Sequence, residues 1–282
     1  MKKIKEETHY LRSFFIYFAL FCSLVLIYAR YIGTTGLVVR EYVIESPKLT
    51  SNFNGLKMVH FSDLHYGTTV LLPELKNLVA EINRLKPDII VFTGDMIDID
   101  YKIKGAELDN VISLLNELQP TIASYIIKGN HDQGNRYNKI IEKTAFNLLN
   151  NTHELLYYNG EAPLLVVGLD DLYVGKQDIE AAYTGLEEND YYTILLAHEP
   201  DVISKFENNK PDMFLAGHSH NGQVRLPFLG AVVRNKGALS YYEAYYKLEE
   251  TEIFISGGLG TRKIPLRLFN RPSFNFYRFF AE

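Results

Sequence analysis

Asp63-Leu64-His65, Gly94-Asp95-Met96-Ile97-Asp98, Gly129-Asn130-His131-Asp132, His198 and Gly217-His218-Ser219-His220 stand in that order along the chain. Five of the eight histidines fall inside these short motifs. Carboxylate, imidazole and amide oxygen are the donor types that suit divalent metals of hard to borderline character. Asp63 and His65 are separated by one residue, as are His218 and His220. In an extended or turning segment such i, i+2 pairs can point to one side. Gly94 lets the backbone turn tightly into Asp95, whose two-oxygen carboxylate can bridge a pair of cations. Asn130 offers a neutral amide oxygen. Asp63, His65, Asp95, Asn130, His198, His218 and His220 are therefore candidate ligands for two divalent ions, with Asp95 shared and positions left open for hydroxide and substrate. Manganese, iron, zinc and cobalt all accept such a set.

Two metals about 3.5–4 Å apart clamp a phosphoryl group for in-line attack and acidify water near neutral pH. The expected reaction is hydrolysis of a phosphoric ester by metal-activated hydroxide. His131 is not needed as a ligand, and it can protonate a leaving oxygen or stabilise the transition state. Asp98 or Asp132 could hold its other ring nitrogen and fix the tautomer. Gly258 and Gly260 could cradle phosphate oxygens on their amides, with Arg262 and Lys263 adding charge. The same glycine run also reads as a tight turn after a strand. His60 reads as packed beside the metal motif, and His9 and His153 as surface residues.

Elements must deliver these residues to one place. Leu56 to Phe61, Ile89 to Phe92, Tyr125 to Ile127, Tyr192 to Leu196 and Met213 to Leu215 are short apolar runs, each ending just before a motif. Continuous apolar runs suit buried, parallel strands, and the carboxyl ends of such strands are where sites form in α/β sheets. Leu75, Leu78, Val79, Ile82 and Leu85 recur at helical spacing, so a helix is expected over Pro73–Lys86 with proline in its first turn. Leu108, Val111, Ile112, Leu115 and Leu118 mark a second helix, closed by Pro120. Leu164 to Val167, Val224 to Leu226, Glu252 to Ile255 and Phe274 to Phe280 are further strands. The second half of the chain is the richer in strands, so the expected fold class is mixed α/β with a mixed sheet or two packed sheets. The aromatic clusters at Tyr241, Tyr242, Tyr245 and Tyr246 and over Phe269 to Phe280 read as strand and core packing, with a bilayer-facing belt as the alternative.

The five motifs together resemble the calcineurin-like metallophosphoesterases over Leu56 to Glu282. That resemblance implies a sandwich of two packed mixed sheets flanked by helices. It also implies one metal on Asp63, His65, Asp95 and His220 and another on Asp95, Asn130, His198 and His218. His131 would act on the substrate and Asp98 would orient it. Pro87-Asp88-Ile89-Ile90-Val91-Phe92-Thr93-Gly94-Asp95, Gly217-His218-Ser219-His220-Asn221-Gly222-Gln223-Val224 and Gly258-Leu259-Gly260-Thr261 are similar to a bacterial envelope branch of the family. Some members of that branch hydrolyse the pyrophosphate of UDP-2,3-diacylglucosamine in lipid A synthesis, which implies a phosphorylated lipid or envelope substrate. A non-catalytic binding protein on the same fold would be expected to lack ligands, and none is missing.

The 282 residues are 47% hydrophobic, ample for a sizeable core, and carry a net charge of -5. No lysine- or arginine-rich block appears, so no nucleic-acid partner is expected. The single cysteine, Cys22, excludes an intrachain disulfide. Lys2, Lys3, Lys5 and Arg12 precede an apolar run from Ser13 to Ala29, near the short end of the roughly 17–25 residues that cross a bilayer as a helix. Tyr10, Tyr17, Tyr28 and Tyr31 lie near its ends, as interfacial aromatics do. No small-x-small cleavage site follows, so an uncleaved anchor is expected rather than a signal peptide. The basic residues before the run outnumber Arg30 and Arg40 after it, which favours a cytoplasmic N-terminus and an extracytoplasmic catalytic domain. The expected organisation is a tail and anchor over 1–30, a connector with extended pieces over 31–55, and the metallophosphoesterase domain over 56–282.

Overall fold

The computed structural model describes residues 2–160, 162–186, 190–206 and 210–282, with side chains from residue 9 onward. It begins with a long helix, α1 (Lys2–Ile27), which runs on through a π-helical turn, Tyr28–Ile32. The stretch His9–Ile32 is long and apolar enough to cross a membrane, and none of its most apolar window is buried against the rest of the chain.

Among the described residues, fourteen strands and four more α-helices follow: β1 (Val38–Ser46), β2 (Lys57–Phe61), α2 (Leu72–Leu85), β3 (Ile89–Phe92), α3 (Gly105–Leu115), β4 (Ala123–Ile126), α4 (Gly134–Lys143), β5 (Asn147–Leu148), β6 (Thr152–Leu156), β7 (Leu164–Gly168), α5 (Ile179–Tyr183), β8 (Thr193–Leu196), β9 (Met213–Ala216), β10 (Arg225–Leu226), β11 (Gly230–Ala231), β12 (Tyr245–Leu248), β13 (Thr251–Ile255) and β14 (Ser273–Ala281). One six-stranded sheet has the order β1-β14-β2-β3-β4-β5, another has β12-β13-β9-β8-β7-β6, and β10 and β11 make a separate hairpin. In the first sheet only the β14–β2 pair is antiparallel. In the second, β12–β13 and β6–β7 are antiparallel and the pairs between are parallel. The expected pair of packed mixed sheets is what forms.

Residue alternation along the strands builds the layers. Ile89 and Val91 of β3 face the core between the sheets, where they meet Ile194, Leu196, Met213 and Leu215 of β8 and β9. Ile90 and Phe92 face the other way, onto Leu75, Leu78, Val79 and Ile82 of α2 and Val111 of α3. Leu195 and Phe214 likewise turn outward, to Ala182 of α5 and to Val202 and Ile203. A strand buried on both faces has no polar side to show, which is why these runs read as continuously apolar. Register then aligns the strand ends: Phe61 pairs with Phe92 and Phe92 with Ile126, while Gly168 pairs with Leu196 and Leu196 with Leu215. The loops that follow these residues emerge side by side.

The α2 and α3 helices lie where periodicity predicts them, and Glu74 accepts the Leu71 N–H at 3.0 Å to hold the start of α2. Residues 38–46 depart from the expected connector. They form an edge strand paired in parallel with β14 over its whole length. Its pattern is obscured because Glu41 and Glu45 face solvent while Arg40 points inward, donating to Asn221 Oδ1 at 2.6 Å. The polar helix α4 buries only Tyr137 and Ile140, too few residues to mark a period in advance. His153 is half-buried rather than on the surface, with Nδ1 at 2.8 Å from the Ala182 carbonyl. The tyrosine cluster packs as expected: Tyr241 and Tyr246 meet edge to face at 5.2 Å, and the Tyr246 hydroxyl accepts the N–H groups of Tyr242 and Glu243. Phe274, Phe276 and Phe279 are fully buried, whereas Phe269 is exposed.

Candidate metal centre

The seven expected ligands meet at the carboxyl ends of both sheets. Asp63 and His65 follow β2, Asp95 follows β3, Asn130 follows β4, His198 follows β8, and His218 and His220 follow β9. Three overlapping groups of close donor atoms result: Asp63, His65 and His220; His65, Asp95 and His131; and Asp95, His198 and His218. His65 Nε2 lies 3.1 Å from His220 Nε2, and His220 Nε2 lies 3.3 Å from Asp63 Oδ1. His218 Nδ1 lies 3.3 Å from His198 Nε2 and 3.1 Å from Asn130 Oδ1. Asp95 Oδ2 stands between the groups, 3.5 Å from His65 Nε2 and 3.3 Å from His198 Nε2.

The far nitrogens decide which atoms face inward. His198 Nδ1 lies 2.6 Å from the Thr93 carbonyl and His218 Nε2 lies 2.9 Å from the Lys236 carbonyl. A carbonyl only accepts, so each of these nitrogens carries the proton and the opposite nitrogen is the lone-pair donor. His65 Nδ1 faces the Asp98 carboxylate at 3.4 Å without a hydrogen bond between them, and Nε2 is the ring atom turned to His220 and Asp95. Lone pairs that face one another across 3.1–3.3 Å repel. A cation between them removes the repulsion, and donors about 2.0–2.1 Å from such an ion lie about 3.4 Å apart in tetrahedral geometry. The donor set thus fits divalent metal.

The backbone is shaped for this approach. Asp63, His65, Asp95, His218 and His220 all have positive φ, between 39° and 65°. Non-glycine residues seldom adopt that region, and they do so where surrounding structure holds them for a purpose. A Cβ on Gly94 would lie 2.6 Å from the Gly129 nitrogen and 2.7 Å from His198 Nδ1. Gly94 therefore serves both its own φ of 94° and the contact between two ligand loops.

His131 projects beside the expected ligands, with a ring nitrogen in one close-donor group with His65 and Asp95. Its amide donates to Asp95 Oδ1 at 2.8 Å, and its Nδ1 accepts the Ile99 N–H at 3.1 Å. Nδ1 being an acceptor, the proton of the neutral ring sits on Nε2. Burial pushes its pKa down to about 4, against the pull of Asp95. Asp98 Oδ2 lies 3.7 Å from His131 Nδ1, farther than from His65 Nδ1, so the carboxylate stands between two rings rather than serving His131 alone. Asp132 holds neither ring. It accepts the N–H groups of Asp95, Met96 and Gly129 at 2.7, 2.9 and 3.0 Å, which staples two ligand loops together. Burial and the Asp95 charge raise its pKa to about 7. Burial opposes ionisation of Asp95 itself, yet His198 and His65 hold its carboxyl well below the usual range.

The glycine run does not bring its amides to the cleft. Gly260 N–H donates to the Asp63 carbonyl at 2.9 Å and Gly258 N–H points to Ser256 Oγ at 3.3 Å. A Cβ at Gly258 would lie 3.1 Å from His220 Nδ1, so this turn packs under the ligands. Arg262 does reach the site's rim: it lines a cavity of about 170 Å³ with His220 and Gln223, and its charge helps to lower the His131 pKa. His60 is packed as expected, with Nε2 2.8 Å from Thr93 Oγ1. Arg267 was not anticipated. It is fully buried, donates to the carbonyls of Gly257, Gly260 and Asn270, and sits 3.4 Å from His220 Nδ1. Its only sequence signal is a basic residue in an apolar run.

Residues 56–222 match the family model for calcineurin-like phosphoesterases. A Bacillus subtilis (strain 168) protein named uncharacterized metallophosphoesterase YkuE is 34% identical over 249 residues, covering 87% of this chain and 86% of its own length. Phosphodiesterase YaeI of Escherichia coli (strain K12) is 30% identical over 226 residues, 77% of this chain and 79% of its own. A Danio rerio transmembrane protein with metallophosphoesterase domain is 29% identical over 271 residues, 88% of this chain and 60% of its own. With the expected ligands gathered in one place and the matched segment spanning the five motifs, the chain belongs to the calcineurin-like phosphoesterase family and is a metal-dependent phosphoester hydrolase.

Proposed function

We propose that this chain is a single-pass membrane phosphoesterase with a dinuclear centre, and that it hydrolyses a phosphodiester or pyrophosphate bond in a lipid or cell-envelope substrate. One observation carries the dinuclear reading: a single oxygen, Asp95 Oδ2, lies within 3.5 Å of donor atoms from both ligand groups. Asp63, His65, Asp95 and His220 would hold one ion and Asp95, Asn130, His198 and His218 the other. Bound divalent ions supply Lewis acidity toward a phosphoryl oxygen and a lowered pKa for water. His131 presents Nε2–H to a leaving or non-bridging oxygen. Its depressed pKa keeps the ring neutral at physiological pH, so it acts as a hydrogen-bond donor rather than a fixed charge. Asp98 holds the Nδ1 side of His65, and Arg262 offers a cation at the rim for a substrate phosphate.

The apolar helix and the Danio rerio relative's name support the membrane placement. YaeI's name supports a diester. Lys2, Lys3, Lys5 and Arg12 ahead of the span support an extracytoplasmic domain. The test is metal analysis and turnover of the full chain in nanodiscs. Two equivalents of manganese, iron, zinc or cobalt per chain, with bis(4-nitrophenyl) phosphate hydrolysis lost on chelation and restored by metal, are expected. Full activity with one equivalent would overturn the dinuclear reading. Turnover confined to UDP-linked lipid pyrophosphates would move the substrate to the cytoplasmic face.

A further inference from the structure

The hairpin β10–β11 leaves the last ligand motif directly, and its surface is unlike the rest of the domain. Phe228 at its tip is 107% exposed, Leu229 77% and Val233 71%, with Phe269 at 65% and Ile264 at 61% on the adjoining segment. Isolated exposed apolar residues are ordinary, but a contiguous group marks a contact surface. These residues are contiguous. Arg225 N–H donates to the Leu268 carbonyl at 3.0 Å and Leu268 N–H to the Gln223 carbonyl at 3.2 Å, so the hairpin base is zipped to the segment that carries Ile264 and Phe269. Phe228, Leu229 and Phe269 line one surface depression together.

That segment is also where the apolar helix ends. Arg267 N–H donates to the Ala29 carbonyl at 3.0 Å. Gly33 packs so closely that a Cβ there would sit 1.9 Å from the Arg267 carbonyl oxygen. The exit of the span, the 262–272 segment and the hairpin are thus consecutive neighbours. Charge agrees with position. In a chain of net charge -5, residues 222–236 and 257–272 contain no aspartate or glutamate, but hold Arg225, Arg234, Lys236, Arg262, Lys263, Arg267 and Arg271. Arg225 is paired with Glu243, Arg262 with Asp100, and Arg267 is buried, while Arg234, Lys236, Lys263 and Arg271 are exposed. Exposed apolar residues ringed by cations are the composition of a surface that sits in an anionic bilayer interface.

We propose that this face is a second membrane contact: the tip Phe228-Leu229, with Val233, Ile264 and Phe269, enters the headgroup region of an anionic bilayer beside the anchor. The groove lined by His220, Gln223, Val233, Arg262 and Ile264 runs along the same face. The contact therefore turns the mouth of the metal centre toward the membrane surface, and the substrate phosphoester is met at headgroup depth. The proposal rests on the reading of α1 as a membrane span. It does not rest on turnover, so its test can be made on a protein that hydrolyses nothing.

Cys22 is the only cysteine. The full chain with Cys22→Ser takes an environment-sensitive nitrobenzoxadiazole probe at Phe228→Cys, or at Leu229→Cys should the first variant melt below its parent. Tyr157→Cys is the control. Tyr157 is exposed and follows Leu156, which pairs with Leu164 at the end of the second sheet away from the ligand loops. Each protein is reconstituted in vesicles of phosphatidylcholine and phosphatidylglycerol containing doxyl-labelled lipid. An interfacial apolar face lies about 5–10 Å into the headgroup boundary, so the hairpin probe should lose emission roughly twofold or more while the control does not. Equal, weak quenching at both positions would overturn the proposal. So would a blue-shifted hairpin probe that ignores doxyl lipid and instead follows protein density, since the hairpin would then be covered by a second copy.

Discussion

In the dinuclear reading proposed above, two neighbouring side chains divide the work at the site: Asp95 is the shared donor, and His131 acts at the same point without being a ligand. Replacing Asp95 by Asn removes charge from both ligand groups, so metal content and turnover should fall together. His131→Ala should leave metal content near parental and lower kcat by about 10²–10³, the usual range for a lost hydrogen-bond donor to developing charge. Metal analysis beside single-turnover kinetics separates the two, and equal metal loss in both variants would refute the division of roles. That these side chains could serve as metal donors was legible from residue type and spacing, and the fold brings their donor atoms together. The allocation of nitrogens was not, because it depends on which carbonyl lies behind each ring: Thr93 for His198 and Lys236 for His218. Asp132 shows the same limit. From sequence it is one of two candidate partners for His131, and only the fold turns it onto three backbone amides.

Among the elements, β2 ties the site to the sheet through His60, which is fully buried against Thr93 and Tyr277. Burial lowers its pKa from 6.5 to about 3, against the attraction of Asp63. Between these values the unfolded chain takes up a proton that the folded chain does not. His60 therefore makes stability fall as the pH drops through that window, by about 1.4 kcal/mol for each pH unit. His60→Gln should flatten this slope, whatever its cost at neutral pH. Urea unfolding at about pH 7 and about pH 5 measures the difference, and a slope identical to the parent would show that His60 is not the group responsible. The strands and helices with strong periodicity were readable in advance. β1 was legible only as extended pieces in the connector, since an edge strand with Arg40 turned inward obscures the alternation that would join them into one strand.

For the molecule as a whole, the end of the apolar helix is packed onto the rest of the chain: Ala29 and Gly33 are buried against the segment carrying Arg267. Arg267 extends that connection inward to His220. The charge distribution about the span predicts protease cleavage of the catalytic domain in intact spheroplasts and protection in inverted vesicles. The opposite pattern would place the site on the cytoplasmic side and return nucleotide-linked lipids to consideration.

The amino-acid sequence alone determined the donor types, the apolar run, the principal helices and the strands that end at the metal-type motifs. Each of these is written in contiguous residues, through spacing, period or run length. The tertiary structure decided the rest: which nitrogen of each histidine turns inward, that Asp95 Oδ2 stands between the groups of close donors, that Asp132 staples two loops, and that the exposed β10–β11 hairpin is zipped to the segment on which the apolar helix ends. These depend on backbone groups and faces supplied by segments far apart in the chain, and no local pattern encodes which of them will become neighbours.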